Sequence, residues 1–253
     1  MRPIAKAAIA CLLFAFFASQ GYAQASDDPL AFLSDAKASA RSSYDELIAD
    51  QLALFNGVEY VNYDLGISGN PYFMDDYYAE DTIEYDGMVY HDIPLKYDVV
   101  ENKVLVEYYN HVGNRRGLIL ENQKVNAFTY EGHQFVKVTT DNPVGSLKEG
   151  FYDHLLRDEI SIYASRKKQI EKAVKNGQMN IKFAVLDQFF VELSGSTYRV
   201  SNKSALLQLF EDHKKEMKQF IKANRLDLKR DFEASLIAVT RQYIKLKQQD
   251  ETT

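Results

Sequence analysis

EYDGMVYHDIPLKYDVVENKVLVEY, residues 84–108, is the stretch that decides the fold. Its Asp86-Gly87 pair has the chemistry of a two-residue hairpin turn, because glycine accepts the positive φ that such a turn demands. After the turn the residues alternate as they do in a half-buried strand, with Leu95, Tyr97 and Val99 apolar against Lys96 and Asp98. The ENK segment at 101–103 predicts another tight turn, so this stretch predicts consecutive antiparallel strands.

The same short sequence motif recurs along the chain. A glycine that follows a turn-forming residue and precedes an aromatic by three positions occurs in FNGVEY (55–60), YDGMVY (85–90), YEGHQF (130–135) and, more loosely, LSGSTY (193–198). The spacings are unequal, which argues against a repeat architecture with a fixed period. Further strands are predicted near 118–121, 124–130, 134–139, 151–156, 159–164, 181–186 and 189–193. We expect an antiparallel β-meander that curls into a barrel or clam.

After Val200 the apolar period changes from two to three or four, which indicates helices. Ser201 or Asn202 is predicted to open a first helix and Asp227 to cap a second. The two apolar stripes are Leu206, Leu209, Phe210, Met217, Phe220 and Ile221, and then Leu228, Phe232, Leu236, Val239, Tyr243 and Leu246. The predicted fold is therefore α+β, with a β body (51–200), a C-terminal helical hairpin packed on it (201–247) and a polar tail (248–253).

The first 23 residues have the three parts of a secretory signal peptide: a basic start, an apolar run over 7–18, and small residues at Gly21 and Ala23. The apolar run is about a dozen residues, whereas a membrane-spanning helix needs about 20. We expect cleavage near Ala23 and export to the periplasm or the extracellular space, with no transmembrane segment in the mature chain. A weaker helical stripe predicts a short helix within the N-terminal segment 24–50.

Cysteine content and charge exclude several classes of site. Cys11 is the only cysteine, and it lies inside the apolar run, so we expect it neither to be lipidated nor to remain in the mature chain. Disulfides, thiolate metal sites and cysteine nucleophiles are thereby excluded from the mature chain. The formal net charge of −6 argues against nucleic acid as a partner, because an acidic surface repels phosphate backbones.

Residues 70–81, NPYFMDDYYAED, combine aromatic side chains with carboxylates. Aromatic platforms flanked by carboxylates could bind a saccharide, and this interpretation makes Tyr72, Asp75, Asp76, Tyr77 and Tyr78 the candidate ligand-binding residues. The adjacent acidic pairs have poor spacing for calcium. The competing interpretation, which we favour, is a connector whose aromatic side chains pack on the sheet.

Motifs that carry catalysis are missing: there is no G-x-S-x-G elbow, no H-E-x-x-H, no P-loop and no dinucleotide fingerprint. Catalytic residues stay unknown, since triads and carboxylate pairs assemble from distant positions. The histidines at 91, 111, 133 and 154 recur about every 21 residues and could converge at one end of a barrel. They lack the close pairing of metal ligands, so we predict neither a metal site nor a cofactor.

Three long stretches also resemble a group of exported, functionally uncharacterised β-rich proteins of Gram-negative bacteria that have a helical C-terminus. They are LFNGVEYVNYDLGISGNPYF, EYDGMVYHDIPLKYDVVENKVLVEY and SALLQLFEDHKKEMKQFIKANRLDLKRDFEASLIAVTRQY, and the likeness covers most of residues 50–245. The group supplies no activity. The resemblance implies that the N-P-Y-F segment belongs to the framework of the fold.

Three functions remain open. We favour an envelope protein that binds a protein or glycan partner without catalysis. The alternatives are a periplasmic carrier of a lipid or small apolar ligand, and a hydrolase with a carboxylate or histidine site. The sequence does not indicate the oligomeric state.

Overall fold

The computed structural model describes residues 54–251 apart from 65, 111 and 176, together with Lys37. The predicted signal peptide with Cys11, the 24–50 segment other than Lys37, and His111 lie outside the described residues. The described part of the chain has an α+β fold, as the sequence predicted.

Antiparallel β-sheet makes up most of the regular secondary structure of the described residues. Within this part of the chain the strands are β1 (Val58–Glu59), β2 (Ala79–Tyr85), β3 (Met88–Asp98), β4 (Lys103–Tyr109), β5 (Arg115–Ile119), β6 (Val125–Tyr130), β7 (His133–Val138), β8 (Gly150–Leu156), β9 (Ser161–Ser165), β10 (Lys168–Lys175), β11 (Gln178–Val185), β12 (Gln188–Leu193) and β13 (Ser196–Val200). Eleven of them form one sheet in the order β1-β5-β4-β3-β2-β6-β7-β8-β9-β12-β13, and β10 pairs with β11 in a separate ribbon. The sheet has β1 and β13 at its edges and is neither closed nor strongly curled, so the predicted barrel or clam is not confirmed.

Three of the four predicted glycine turns join neighbouring strands. In Asp86-Gly87, Glu131-Gly132 and Ser194-Gly195 both residues have positive φ, from 51° to 80°, as a type I′ turn requires. The turn predicted at 55–60 is wrong. Gly57 comes directly before β1, and a Cβ on it would lie 2.3 Å from the carbonyl oxygen of Ile119, so glycine is needed here because the chain passes close to β5.

The order of the strands departs from a simple meander in three places: β1 pairs with β5, β9 pairs with β12, and the third departure concerns β6. β6 pairs with β2 and not with its predecessor β5, with Ile83 opposite Phe128. The sequence prediction also missed β10. Its sequence, KQIEKAVK, has charged residues on both sides of the strand, and most of its described side chains are exposed.

The described C-terminal part contains three helices instead of the predicted two: α1 (Lys203–Leu209), α2 (Lys214–Ala223) and α3 (Phe232–Glu251). Of the two predicted caps, Ser201 and Asn202, it is Asn202 that caps α1, because its side-chain oxygen accepts a hydrogen bond from the backbone N–H of Ala205. Asp227 does not cap the last helix. Asp231 does, with Oδ1 3.3 Å from the backbone nitrogen of Ala234. The predicted polar tail is helical as far as Glu251.

The helices belong to the hydrophobic core of the sheet. Fully buried side chains of α1 to α3, among them Leu206, Met217 and Leu236, lie in one cluster with Ile162 and Val191 of the last strands. A second cluster lies against the first strands and is rich in aromatic side chains. The packing of C-terminal helices on the β body is thus confirmed. Phe232, which the sequence placed in the apolar stripe, is only partly buried.

Within the described residues, no helix combines the length and the apolar character that crossing a membrane would require.

Candidate functional site

One segment, residues 58–73, covers the polar face of the strands at one end of the sheet. It begins as β1, in which Val58 pairs with Ile119 of β5. It then reaches the ribbon, where the backbone N–H of Ser68 donates to the carbonyl of Ile181 at 2.9 Å. It ends against β3, where the N–H of Phe73 donates to the carbonyl of Tyr97 at 2.8 Å. The segment therefore encloses a space between itself, the ribbon and strands β3 to β5.

This space is a cleft of about 620 Å³, which lies within the usual size of small-ligand sites. Aromatic and charged side chains dominate its walls. We call it the tyrosine cleft, and its aromatic and charged lining residues are Tyr60, Tyr63, Tyr72, Tyr78, Phe183, Glu59, Asp64, Asp76, Lys96, Glu107, Arg115 and Arg116.

Asp98, which is fully buried, anchors two of the tyrosines. The hydroxyls of Tyr60 and Tyr63 donate to its Oδ2 at 2.8 and 3.1 Å. Its Oδ1 accepts from the backbone N–H groups of Val100 and Glu101. Burial, followed by the neighbouring Asp98 carboxylate, raises the pKa of both Tyr60 and Tyr63. Both tyrosines therefore stay protonated and hold their hydrogen bonds to Asp98.

Lys96 fixes the other two tyrosines. Its Nζ lies 4.3 Å from the ring centre of Tyr72, 4.2 Å from that of Tyr78, and 2.7 Å from Asp76 Oδ1. A buried ammonium needs such compensation, which the two ring faces and the carboxylate provide. The Tyr78 hydroxyl lies directly over Gly117, where a Cβ would approach it to 2.3 Å. The position of Tyr78 thus depends on the missing side chain at 117.

Two further ion pairs lie on the wall of the cleft. Arg115 Nη2 is 2.8 Å from Glu107 Oε2, and Arg116 Nε is 3.1 Å from Glu59 Oε1. Both arginines are exposed to solvent. These pairs present donors and acceptors side by side, and they can exchange their mutual hydrogen bonds for hydrogen bonds to a ligand.

Of the predicted ligand-binding residues in 70–81, some line the tyrosine cleft and others lie on the open surface. Tyr72, with 3% exposure, lines the cleft together with Asp76 and Tyr78. Asp75 and Tyr77 are exposed and do not line it, and Tyr77 is 43% exposed. The same stretch also contributes to the framework, because the neighbouring Phe73 packs in the core. This part of the chain is therefore both a connector and a wall of the cleft.

The sequence did not indicate Tyr60, Tyr63, Lys96, Arg115 or Arg116 as site residues. The alternating pattern places Lys96 on the polar side of its strand. The alternation correctly assigned its face, but it does not show that another segment covers that face. The one signal in the sequence is the group of tyrosines that follows Gly57 in FNGVEYVNY, where the glycine pattern predicts a hairpin turn instead of a binding site.

A buried ionic network lies nearby and joins the sheet to α3. The guanidinium of Arg166 donates to Asp153, Asp187 and Glu233, with the shortest contacts to the last two at 2.9 and 2.7 Å. It also lies 5.1 Å from the ring centre of Phe73. The network therefore connects β8, the residue that follows β9, the residue that precedes β12, and α3, and it contacts the 70–81 stretch through Phe73. We interpret it as structural.

The four described histidines have separate environments. They lie beside different groups: His91 beside Thr82, His133 beside Asp153, His154 against the ring of Tyr163, and His213 beside Asp250. Among the residues that the structure describes, no group of three or more His, Cys, Asp or Glu is placed to hold a metal ion.

Comparison of the chain with protein-family models, with curated proteins and with solved structures found no match. Its function must therefore be inferred from the site itself.

Proposed function

We propose that the chain is an exported protein of the cell envelope that acts by binding, without catalysis, and that the tyrosine cleft holds its ligand. The ligand class that fits best is a polyhydroxylated one, such as a glycan. Export rests on the signal-peptide pattern of residues 1–23, and the binding role rests on the cleft.

The observation that carries the proposal is the set of four tyrosines held in fixed positions beside charged hydrogen-bonding groups. Asp98 orients two of the rings, and Lys96 orients the other two. Aromatic side chains that are already ordered bind a ligand at low entropic cost. The ion pairs of Arg115 and Arg116 offer alternating donors and acceptors, which match the hydroxyl groups of a sugar.

The other functions receive less support from the same residues. An apolar ligand would have to desolvate seven charged side chains that line the cleft, which is costly. A glycoside hydrolase needs one carboxyl group kept protonated. Here Asp76, Glu107 and Glu59 are already engaged in ion pairs, with Lys96, Arg115 and Arg116 respectively. A folded envelope protein would need a broader contact than this concave site offers.

The test compares two glycine substitutions. Gly117→Ala places a methyl group where the Tyr78 hydroxyl now lies, so the ring must leave its position and the cleft changes shape. Gly66→Ala is the matched control, because a Cβ there meets nothing within 4 Å and Gly66 does not line the cleft. Glycan-array screening of the wild type identifies the ligand, and calorimetric titration then measures its affinity for each variant. We expect Gly117→Ala to weaken binding by about tenfold or more and Gly66→Ala to leave it unchanged.

Melting curves of both variants show whether the fold survives. Binding to Gly117→Ala with wild-type affinity would place the ligand elsewhere. Absence of any glycan ligand for the wild type would overturn the ligand class, and turnover of a glycan, ester or peptide by the wild type would overturn the non-catalytic function.

A further inference from the structure

A second cleft, of about 720 Å³, shares no lining residue with the tyrosine cleft. Its walls come from the turn between β3 and β4, the connection between β7 and β8, the link between β9 and β10, and strands β8, β12 and β13. We call it the basic cleft. The lining residues that matter below are Lys148, Lys167, Lys168, Arg199, Tyr152 and Phe190.

The charge of this lining is opposite to that of the whole chain. The chain has 36 acidic and 30 basic residues, but the basic cleft is lined by five basic residues and two acidic ones, Glu101 and Glu149. Glu101 is paired with Lys103, which lies outside the lining. Cationic side chains therefore predominate at this site.

Not all of these cations are available to a ligand. Arg166 is occupied by its three carboxylate partners, and Lys168 Nζ donates to the backbone oxygens of Asn70 and Tyr72. Lys148, Lys167 and Arg199 are different. All three are exposed, and within the described part of the chain none has a carboxylate oxygen within 4.0 Å of its cationic group. Three unpaired cations thus lie around one concavity.

The wall that carries Lys148 is held in place by specific contacts. The backbone N–H of Ser146 donates to Thr197 Oγ1 at 2.8 Å, and the hydroxyl of Tyr152 donates to the carbonyl of Lys148 at 3.0 Å. Gly145 has a φ of 51°, and a Cβ on it would lie 2.7 Å from Thr197 Cγ2, so the loop can approach β13 only because this residue is glycine. The connection is therefore fixed before any ligand binds.

The same cleft has an aromatic floor. The rings of Tyr152 and Phe190 meet edge to face with centres 6.1 Å apart, and Tyr152 is buried in a small apolar cluster with Val138 and Tyr163. A ligand that bears an anionic group at the rim can rest its less polar part on this floor.

We infer that the basic cleft binds a small anionic ligand through a phosphate or carboxylate group, with Lys148, Lys167 and Arg199 as the cationic partners. The guanidinium of Arg199 can form two parallel hydrogen bonds with either group, and the lysines contribute point charges. This site is separate from the tyrosine cleft and stands independently of the glycan proposal.

The experiment titrates the purified full chain with inorganic phosphate and, separately, with citrate, at low ionic strength. Binding is followed by calorimetry and by chemical-shift changes of the lining residues. The test variant is Lys148→Gln with Arg199→Gln, and the control is Lys218→Gln with Lys229→Gln. These two exposed lysines, one in α2 and one in the turn before α3, change the net charge equally. Because all four positions are exposed, both variants should keep the wild-type melting temperature.

We expect saturable binding to the wild type, a loss of about tenfold or more in the cleft variant, and less than about twofold in the control. Preference for phosphate or for citrate identifies the source of the anionic group. No saturable binding of either probe would overturn the inference. So would equal weakening in both variants, since it would mean that the anion senses only the overall charge.

Discussion

Arg166→Met is expected to destabilise the protein strongly while changing the volume of the side chain little. Asp153, the principal partner of Arg166, is only 1% exposed and would lose its guanidinium partner. Removing one member of a buried ion pair costs about 3–5 kcal/mol, because the remaining charge stays buried without compensation. For a chain of this size, that corresponds to a fall in melting temperature of roughly 6–20 °C.

The assay is urea denaturation monitored by circular dichroism. The free energies of unfolding are compared with the same slope of free energy against urea concentration for every variant. Lys124→Met is the matched control. Its ion pair with Glu121 is solvent-exposed on both sides, at 39% and 52%, so its loss should leave the free energy of unfolding nearly unchanged.

A double variant separates the network from local packing. Asp153→Asn combined with Arg166→Met should be less destabilised than the sum of the single changes, because the second substitution removes the charge that the first leaves unpaired. A loss below about 1 kcal/mol for Arg166→Met, or strict additivity in the double variant, would refute the conclusion that this network joins the sheet to α3.

Three further outcomes are expected. Leu236→Ala, at a fully buried position of α3, should cost about 2–5 kcal/mol in urea denaturation, and Phe232→Ala should cost less than Leu236→Ala because Phe232 is only partly buried. A chain truncated after Val200 should fail to give a cooperative melting transition, since it loses both Glu233 and the helical half of one core cluster; melting at the full-length temperature would contradict this. Burial and, secondly, the Arg157 charge lower the pKa of His154 to about 4, so its stabilising contribution is complete above about pH 6.5 and is lost as the pH falls from there towards 4. His154→Phe should therefore show a smaller loss of stability than the wild type between about pH 7 and pH 4.5, and equal losses would show that His154 does not titrate in this way.

The sequence by itself determined the features that depend on a few adjacent residues. Asp86-Gly87, Glu131-Gly132 and Ser194-Gly195 make tight turns because the positive φ that a hairpin needs is a local property of those residues. The cap of α1 at Asn202 is equally local. The glycine pattern does not always mean a hairpin turn. Gly57 has the same pattern, but glycine is required there because β5, which lies some 60 residues further along the chain, passes close to it.

Only the tertiary structure decided where the two clefts and the buried ionic network lie. Alternation showed that Lys96 and Asp98 share a face of β3, but it could not show that residues 58–73 cover that face and convert solvent-facing side chains into the wall of a cleft. Arg166 likewise has partners at 153, 187 and 233, and the basic cleft draws on segments from residue 99 to residue 199. The physical reason is that a turn is specified by the backbone preferences of neighbouring residues, whereas a site is specified by packing between segments that the sequence keeps far apart.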